Sequence, residues 1–410
     1  MKKLLLAIFL LPLFAVAQEK GIHFEHGLSW QQVKEKAKAE NKYIFIDCFT
    51  TWCGPCKYMS ANIFPMEEVG KVFNDKFINI KIQLDSTAND NEEVKSWFKD
   101  AFAIAKEYNV QAYPTYLFFD PNAKIVHRAV GSSDPGAFIA KAENALNPDK
   151  QYYALIDQYK KGNKTPDFLR KTALAALDAY DMENGSAIAN EYLGTQKDLY
   201  TKENLDFVTN FTNSSKDKGF ALMLKNPAKV DAVMGAGKAE ALVNRIIMRE
   251  EIFRKLPQDK TQKTDWKAIG AALTKKYPAQ APEALAKGKV VYYQSSGDWN
   301  NFQTAVVAYM KKYGSKSSPE ELNNYAWTVF ENCKDMTCVA EALDWSKRSF
   351  KDNNEPGYMD TYANILYKMG KKEDAIVWET KALDLAGEDD KQTYKETLEK
   401  MQKGEKTWKD

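Results

Sequence analysis

Tyr43-Ile44-Phe45-Ile46-Asp47-Cys48-Phe49, followed after two residues by Trp52-Cys53-Gly54-Pro55-Cys56-Lys57, is the stretch that decides how this chain folds. The first seven residues form an apolar run of strand length. The residues from Cys56 to Phe64 read as a helix, so the two cysteines stand where a strand hands over to a helix N-terminus. Pro55 suits that position because the first helical turn makes no use of its missing N–H. Unpaired backbone N–H groups and the positive end of the helix dipole lie against the first cysteine and stabilise its thiolate. A thiol so placed titrates well below the usual value of about 8.5 and is nucleophilic near neutrality. Two such cysteines, separated by Gly54-Pro55, can close a disulfide and reopen it. The chemistry on offer is thiol–disulfide exchange.

Outward from this stretch, residues 18–148 alternate strand-like and helix-like segments. Ser29-Trp30-Gln31-Gln32 is a capping-box pattern and opens a helix to about Asn41. After the Cys53 helix come a helical piece at 66–73, a strand at 77–85, a polar loop at 86–91 and an amphipathic helix at 92–108. Thr115–Asp120 and Lys124–Val130, joined by Pro121-Asn122-Ala123, read as a hairpin, and Ser133-Asp134-Pro135 starts a last helix to about Leu146. The order βαβα followed by ββα predicts an α/β core with a parallel part and a terminal hairpin. From 149 to 318 the strand signal fades into helical patterns broken at Pro166, Pro227, Pro257, Pro278 and Pro282, with no chemistry-bearing cluster. In 319–410, Tyr362-Ala363, Gly370, Ala375 and Ala382, with a rougher copy at Tyr325-Ala326, Ala342 and Ser349, match the small-residue spacing of tetratricopeptide helix pairs. Such units stack and offer a concave face to partners.

Met1-Lys2-Lys3, the apolar run from Leu4 to Phe14 and Ala15-Val16-Ala17 read as a secretory signal peptide, with cleavage expected near Ala17/Gln18. The apolar run is too short to span a bilayer, so no stable membrane insertion is expected, and the destination is the periplasm or cell envelope. Without Lys2 and Lys3, 56 basic residues face 56 acidic ones, a balance that argues against nucleic acid or an anionic membrane as partner. Five cysteines in 410 residues are too few for a disulfide-stapled scaffold.

Residues 18–148 resemble the thioredoxin family, most closely exported thioredoxin-like domains of the DsbD kind. The resemblance rests on Trp-Cys-Gly-Pro-Cys-Lys followed by a Phe-x-x-Glu-Glu-Val helix, on Asp47 six residues before Cys53, on Lys81 in the next strand and on Tyr113-Pro114-Thr115. It implies a thioredoxin-like fold followed by an all-α region. It implies that Cys53 is the nucleophile and Cys56 the resolving thiol. Asp47 would be a buried base under Cys56, with Lys81 tuning it. Trp52, Gly54, Pro55, Tyr113 and a cis Pro114 would form the face that meets substrate. The expected activity is reduction of protein disulfides, with Gly54-Pro55 as in the reducing members. It needs no metal or cofactor but does need an electron donor, expected to be a membrane conduit. A protein partner on the C-terminal repeats is a further expectation.

Other readings stay open from the residues alone. Cys53–Cys56 could be an inert disulfide, or half a zinc site with His23 and His26. The chain could be a helical-repeat adaptor whose thioredoxin-like domain serves recognition, or an isomerase or holdase gripping unfolded clients. Cys48 is expected to be a buried free thiol on the opposite strand face from Asp47. Cys333 and Cys338, either side of a turn between two helices, are expected to form a structural disulfide; handing electrons to Cys56 is the other reading. His127 is expected at the surface.

Overall fold

A computed structural model describes residues 20–257 and 262–408; the expected signal peptide at 1–17 lies outside them. The chain divides into two compact units between Leu199 and Tyr200.

The first unit is built on a four-stranded sheet: β1 (Tyr43–Phe49), β2 (Phe77–Gln83), β3 (Thr115–Phe119) and β4 (Ile125–Val130), in the order β2-β1-β3-β4. β1 and β2 run parallel, and β3 runs antiparallel to both β1 and β4, as the βαβ-then-hairpin order predicts. Strand periodicity sorts the side chains of β1 to opposite faces. Ile44, Ile46 and Cys48 pack under helix α1 (Trp30–Glu40) with Val33 and Ala37. Phe45 lies on the other face with Phe73, Phe118 and Phe138. Because helices cover both faces, β1 reads as one continuous apolar run.

On the phenylalanine face lie the turn that follows α2 (Gly54–Tyr58), α3 (Glu67–Lys76) and, after α4 (Glu92–Glu107) on the other side, α5 (Pro135–Leu146). Phe73 and Phe138 stack at 4.7 Å, binding α3 to α5. Caps fix where these helices begin: Ser29 and Gln32 form the predicted box, and Asn91 and Asp134 accept from the first turns of α4 and α5, each contact worth ~1 kcal/mol. The helix expected over 56–64 does not run evenly. After Tyr58 it widens into one π-helical turn, with Phe64 N donating to Met59 O at 2.9 Å.

The expected boundary near 148 falls inside this unit. Three more helices, α6 (Tyr152–Lys160), α7 (Pro166–Asp178) and α8 (Met182–Thr195), continue it. His127, expected at the surface, is only 2% exposed, because β4 is covered by α6. Its Nδ1 accepts the Tyr152 N–H at the start of α6 at 3.0 Å, and burial pushes its pKa down to about 4. Lys141 of α5 pairs with Asp178 of α7.

The second unit is helical throughout its described residues. Pro227, Pro282, Pro319 and Pro356 each lie in the first turn of a helix, where proline costs nothing. Toward its end, helices Pro319–Asn332, Met336–Ser349, Pro356–Lys368, Lys372–Leu385 and Glu388–Lys403 pack in succession. Ala326, Ala342, Ala363, Ala375 and Ala382 are all fully buried, as the small-residue spacing requires where helices approach closely. Cys333 and Cys338 are buried free thiols, which corrects the expected Cys333–Cys338 disulfide. Buried helix packing, and Lys368 Nζ bound to the Phe330 and Cys333 carbonyls, hold this junction without a covalent clip.

Candidate thiol–disulfide site

Cys53 is the N-cap of α2, and its sulfur accepts the Cys56 N–H at 3.1 Å. The two cysteines are joined as a disulfide, with their Cα atoms 5.3 Å apart. Strand β1 ends and α2 begins within five residues, so the loop between them needs an anchor. Asp85, just beyond β2, supplies it: its carboxylate accepts from Thr51 N at 3.0 and 3.1 Å and from the Thr51 hydroxyl. Sequence reasoning missed Asp85, although an acid closing a strand next to the motif-bearing strand was a signal for it.

Both half-cystines are nearly buried, whereas Trp52 is 68% exposed beside them. The Trp52 and Tyr113 rings meet edge to face at 5.7 Å. The Tyr113–Pro114 bond is cis, and Pro114 O accepts from Gly131 N at 2.9 Å. The sequence-predicted rim of Trp52, Gly54, Pro55 and Tyr113 is thus partly assembled by a ring contact. Gly54 and Pro55 are exposed on α2.

Asp47 is 1% exposed, on the Phe45 face of β1. Lys81 stands directly opposite it in the β1–β2 register, Nζ 3.7 Å from Asp47 Oδ2. Burial pushes the Asp47 carboxyl up to about 6, against a smaller opposing pull from the Lys81 charge. Lys81 spends its short hydrogen bond elsewhere, on Ser60 Oγ at 2.7 Å, and its ammonium lies within 5.5 Å of the Phe24, Phe49 and Phe64 ring centres. Three ring faces and a hydroxyl hold the cation near Asp47 without a tight ion pair. Ser60 and the three phenylalanines carried no sequence signal as site residues.

Tyr116 faces Asp47 from the other side, across the β1–β3 register. Its buried hydroxyl and Asp47 Oδ1 both lack a hydrogen-bond partner. Cys48 is a buried free thiol, as expected, pushed well up by burial and then by Asp47. His26 Nδ1 lies 3.3 Å from Glu93. Among the described residues no three His, Cys, Asp or Glu side chains gather as a metal site.

Residues 30–146 match the model of a thioredoxin-like domain family. Thioredoxin H4 of Arabidopsis thaliana is 34% identical over 25% of this chain and 72% of its own length. The chain belongs to the thioredoxin family. Thioredoxin Y of Oryza sativa subsp. japonica is 32% identical over 30% of this chain and 60% of its own. Thiol:disulfide interchange protein DsbD of Yersinia enterocolitica is 32% identical over 26% of this chain and 17% of its own. The chain thus spans less than two thirds of either of these two. Among solved structures, a candidate disulphide-isomerase from Bacteroides thetaiotaomicron is 34% identical, covering 32% of this chain and 98% of its own, with a TM-score of 0.26. All of these likenesses leave most of the thioredoxin-family chain, including its second unit, unmatched.

Proposed function

We propose that this protein is an exported thiol–disulfide oxidoreductase that reduces protein disulfides through Cys53 and Cys56. The observation that carries the reading is a disulfide at the N-terminus of α2, in a sheet whose central strand holds the buried Asp47. In the reduced protein the Cys53 thiolate attacks one sulfur of a substrate disulfide. That bond breaks, one substrate thiolate leaves, and a mixed disulfide forms. Cys56 loses its proton to Asp47, then attacks Cys53 Sγ. The second substrate sulfur departs as a thiolate and takes the proton from Asp47, and the Cys53–Cys56 disulfide closes. A carboxyl raised to about 6 is matched to take a thiol proton near neutrality. An electron donor must then restore the dithiol, and the DsbD likeness favours a membrane conduit. Export rests on the signal-peptide pattern of residues 1–17. The succession of closely packed helix pairs in the second unit favours a docking surface for a protein partner.

Cys56→Ala expressed in the native envelope and quenched with acid should accumulate reducible mixed disulfides through Cys53, absent in Cys53→Ala. A folded Cys56→Ala protein with an alkylatable Cys53 and no adducts would sink the oxidoreductase reading. Reduction of insulin without reactivation of a scrambled disulfide protein separates reductase from isomerase.

A further inference from the structure

The mechanism above uses two of the five cysteines. Cys48 is sealed into the sheet, but Cys333 and Cys338 are neighbours with a different character. Cys333 closes the C-terminus of helix Pro319–Asn332, and Cys338 lies in the first turn of helix Met336–Ser349. The short connector between them, Lys334 and Asp335, is exposed, as are Met336 and Thr337 at the start of the next helix. The two thiols interact inside the junction.

A third group completes the arrangement. Lys368, from helix Pro356–Lys368, binds the carbonyl oxygens of Phe330 and Cys333, the latter at 3.0 Å. Its ammonium lies over the rings of Phe330 at 5.5 Å and Trp408 at 5.7 Å. The positive charge therefore stands at the helix end that carries Cys333, where the helix dipole alone would disfavour a thiolate. Lys368 thus sets a cation beside Cys333, and an adjacent positive charge favours the thiolate with which dithiol exchange opens.

We propose that Cys333 and Cys338 form a second thiol–disulfide site, in the helical unit, which takes disulfide oxidants and closes to an intrachain disulfide. It goes beyond the Cys53–Cys56 reaction and does not depend on it. The Cys333 thiolate attacks one sulfur of a disulfide R–S–S–R; that bond breaks and RS⁻ leaves. Cys338 gives its proton to solvent and attacks Cys333 Sγ, and the second RS⁻ leaves. Two cysteine thiols are oxidised by two electrons and one disulfide is reduced to two thiols. Because both sulfurs are nearly buried, the exchange passes through opening of the exposed connector. Lys368 is a positioning residue: it holds the helix end and its charge beside Cys333.

The test uses the full chain, fully reduced and freed of reductant, incubated with oxidised glutathione, quenched with acid and alkylated. Trypsin cuts after Lys334, so the oxidised site appears as two peptides, 317–334 and 335–347, joined by a reducible bond. That linked pair is expected in folded wild-type protein and in Cys53→Ala/Cys56→Ala, which makes the outcome independent of the first site. It is expected to form several-fold more slowly in Lys368→Gln, with the rate restored in Lys368→Arg. Closure of Cys53–Cys56 in the same wild-type sample while Cys333 and Cys338 remain alkylatable after unfolding would overturn the proposal. Glutathione retained on Cys333 without closure would overturn it equally.

Discussion

At the scale of single residues, the buried charge at Asp47 sets the first expectation. Its pKa stands at about 6 in the fold against 3.8 when exposed, so the folded state holds the proton more tightly than the unfolded chain. Stability therefore falls as pH rises from about 4 through about 6, and the full penalty, ~3 kcal/mol, remains above that. Asp47→Asn should raise the urea midpoint at pH 7 by an amount worth about 2 kcal/mol and slow disulfide reduction, and the stability gain should vanish near pH 3. Tyr116 allows a cleaner test of an orphaned polar group, since its hydroxyl is buried without a partner. Tyr116→Phe is expected to be neutral or stabilising by up to ~1 kcal/mol; a loss larger than that in chemical denaturation would mean the hydroxyl has a bond. Asp47 was legible from its spacing to Cys53. The orphaned hydroxyl opposite it was not, because Tyr116 reads in sequence as one more aromatic in an apolar strand.

At the scale of elements, β4 and α6 meet through one imidazole. His127 Nδ1 accepts the Tyr152 N–H, satisfying one of the unpaired donors at the helix start. Protonation removes that acceptor, and the fold resists it, with the pKa lowered from 6.5 to about 4. A depressed base works in the opposite sense to Asp47: its contribution is fully present above about 6.5 and is lost as pH falls toward 4, again ~3 kcal/mol in all. Between pH 4 and 6.5 the two groups oppose each other, which predicts contrasting slopes in the variants. His127→Ala should lose about 2 kcal/mol at pH 7 and, relative to the wild type, become less stable as pH rises through that window. Asp47→Asn should become more stable relative to the wild type over the same window. Thermal melts at four pH values would decide this, and parallel slopes would rule out the assignment. Secondary structure in this unit followed from local signals, and strand, capping box and hairpin lie where periodicity placed them. The π-helical turn after Tyr58 did not, since it answers to packing of Met59 and Ile63 into the phenylalanine core.

At the scale of the whole molecule, the first unit outruns the segment that matches the thioredoxin-like family model, which ends at 146, and takes in α6 to α8. A chain ending at 199 should therefore melt cooperatively. One ending at 148 should lose several kcal/mol, because it uncovers His127 and strips Lys141 of Asp178. Equal urea midpoints for the two chains would show that α6 to α8 are dispensable ornament. The sequence by itself determined the redox motif, the order of strands and helices around it and the helical character of the rest. These follow from periodicity, caps and prolines within a few residues of one another. Only the tertiary structure decided which polar groups meet: Asp85 with Thr51, Lys81 with Ser60 beside Asp47, His127 beneath α6, and Lys368 beside two unjoined thiols. Each pairing joins residues 21 to 35 positions apart in the chain, and such partners are chosen by strand register and helix packing, which no local pattern records.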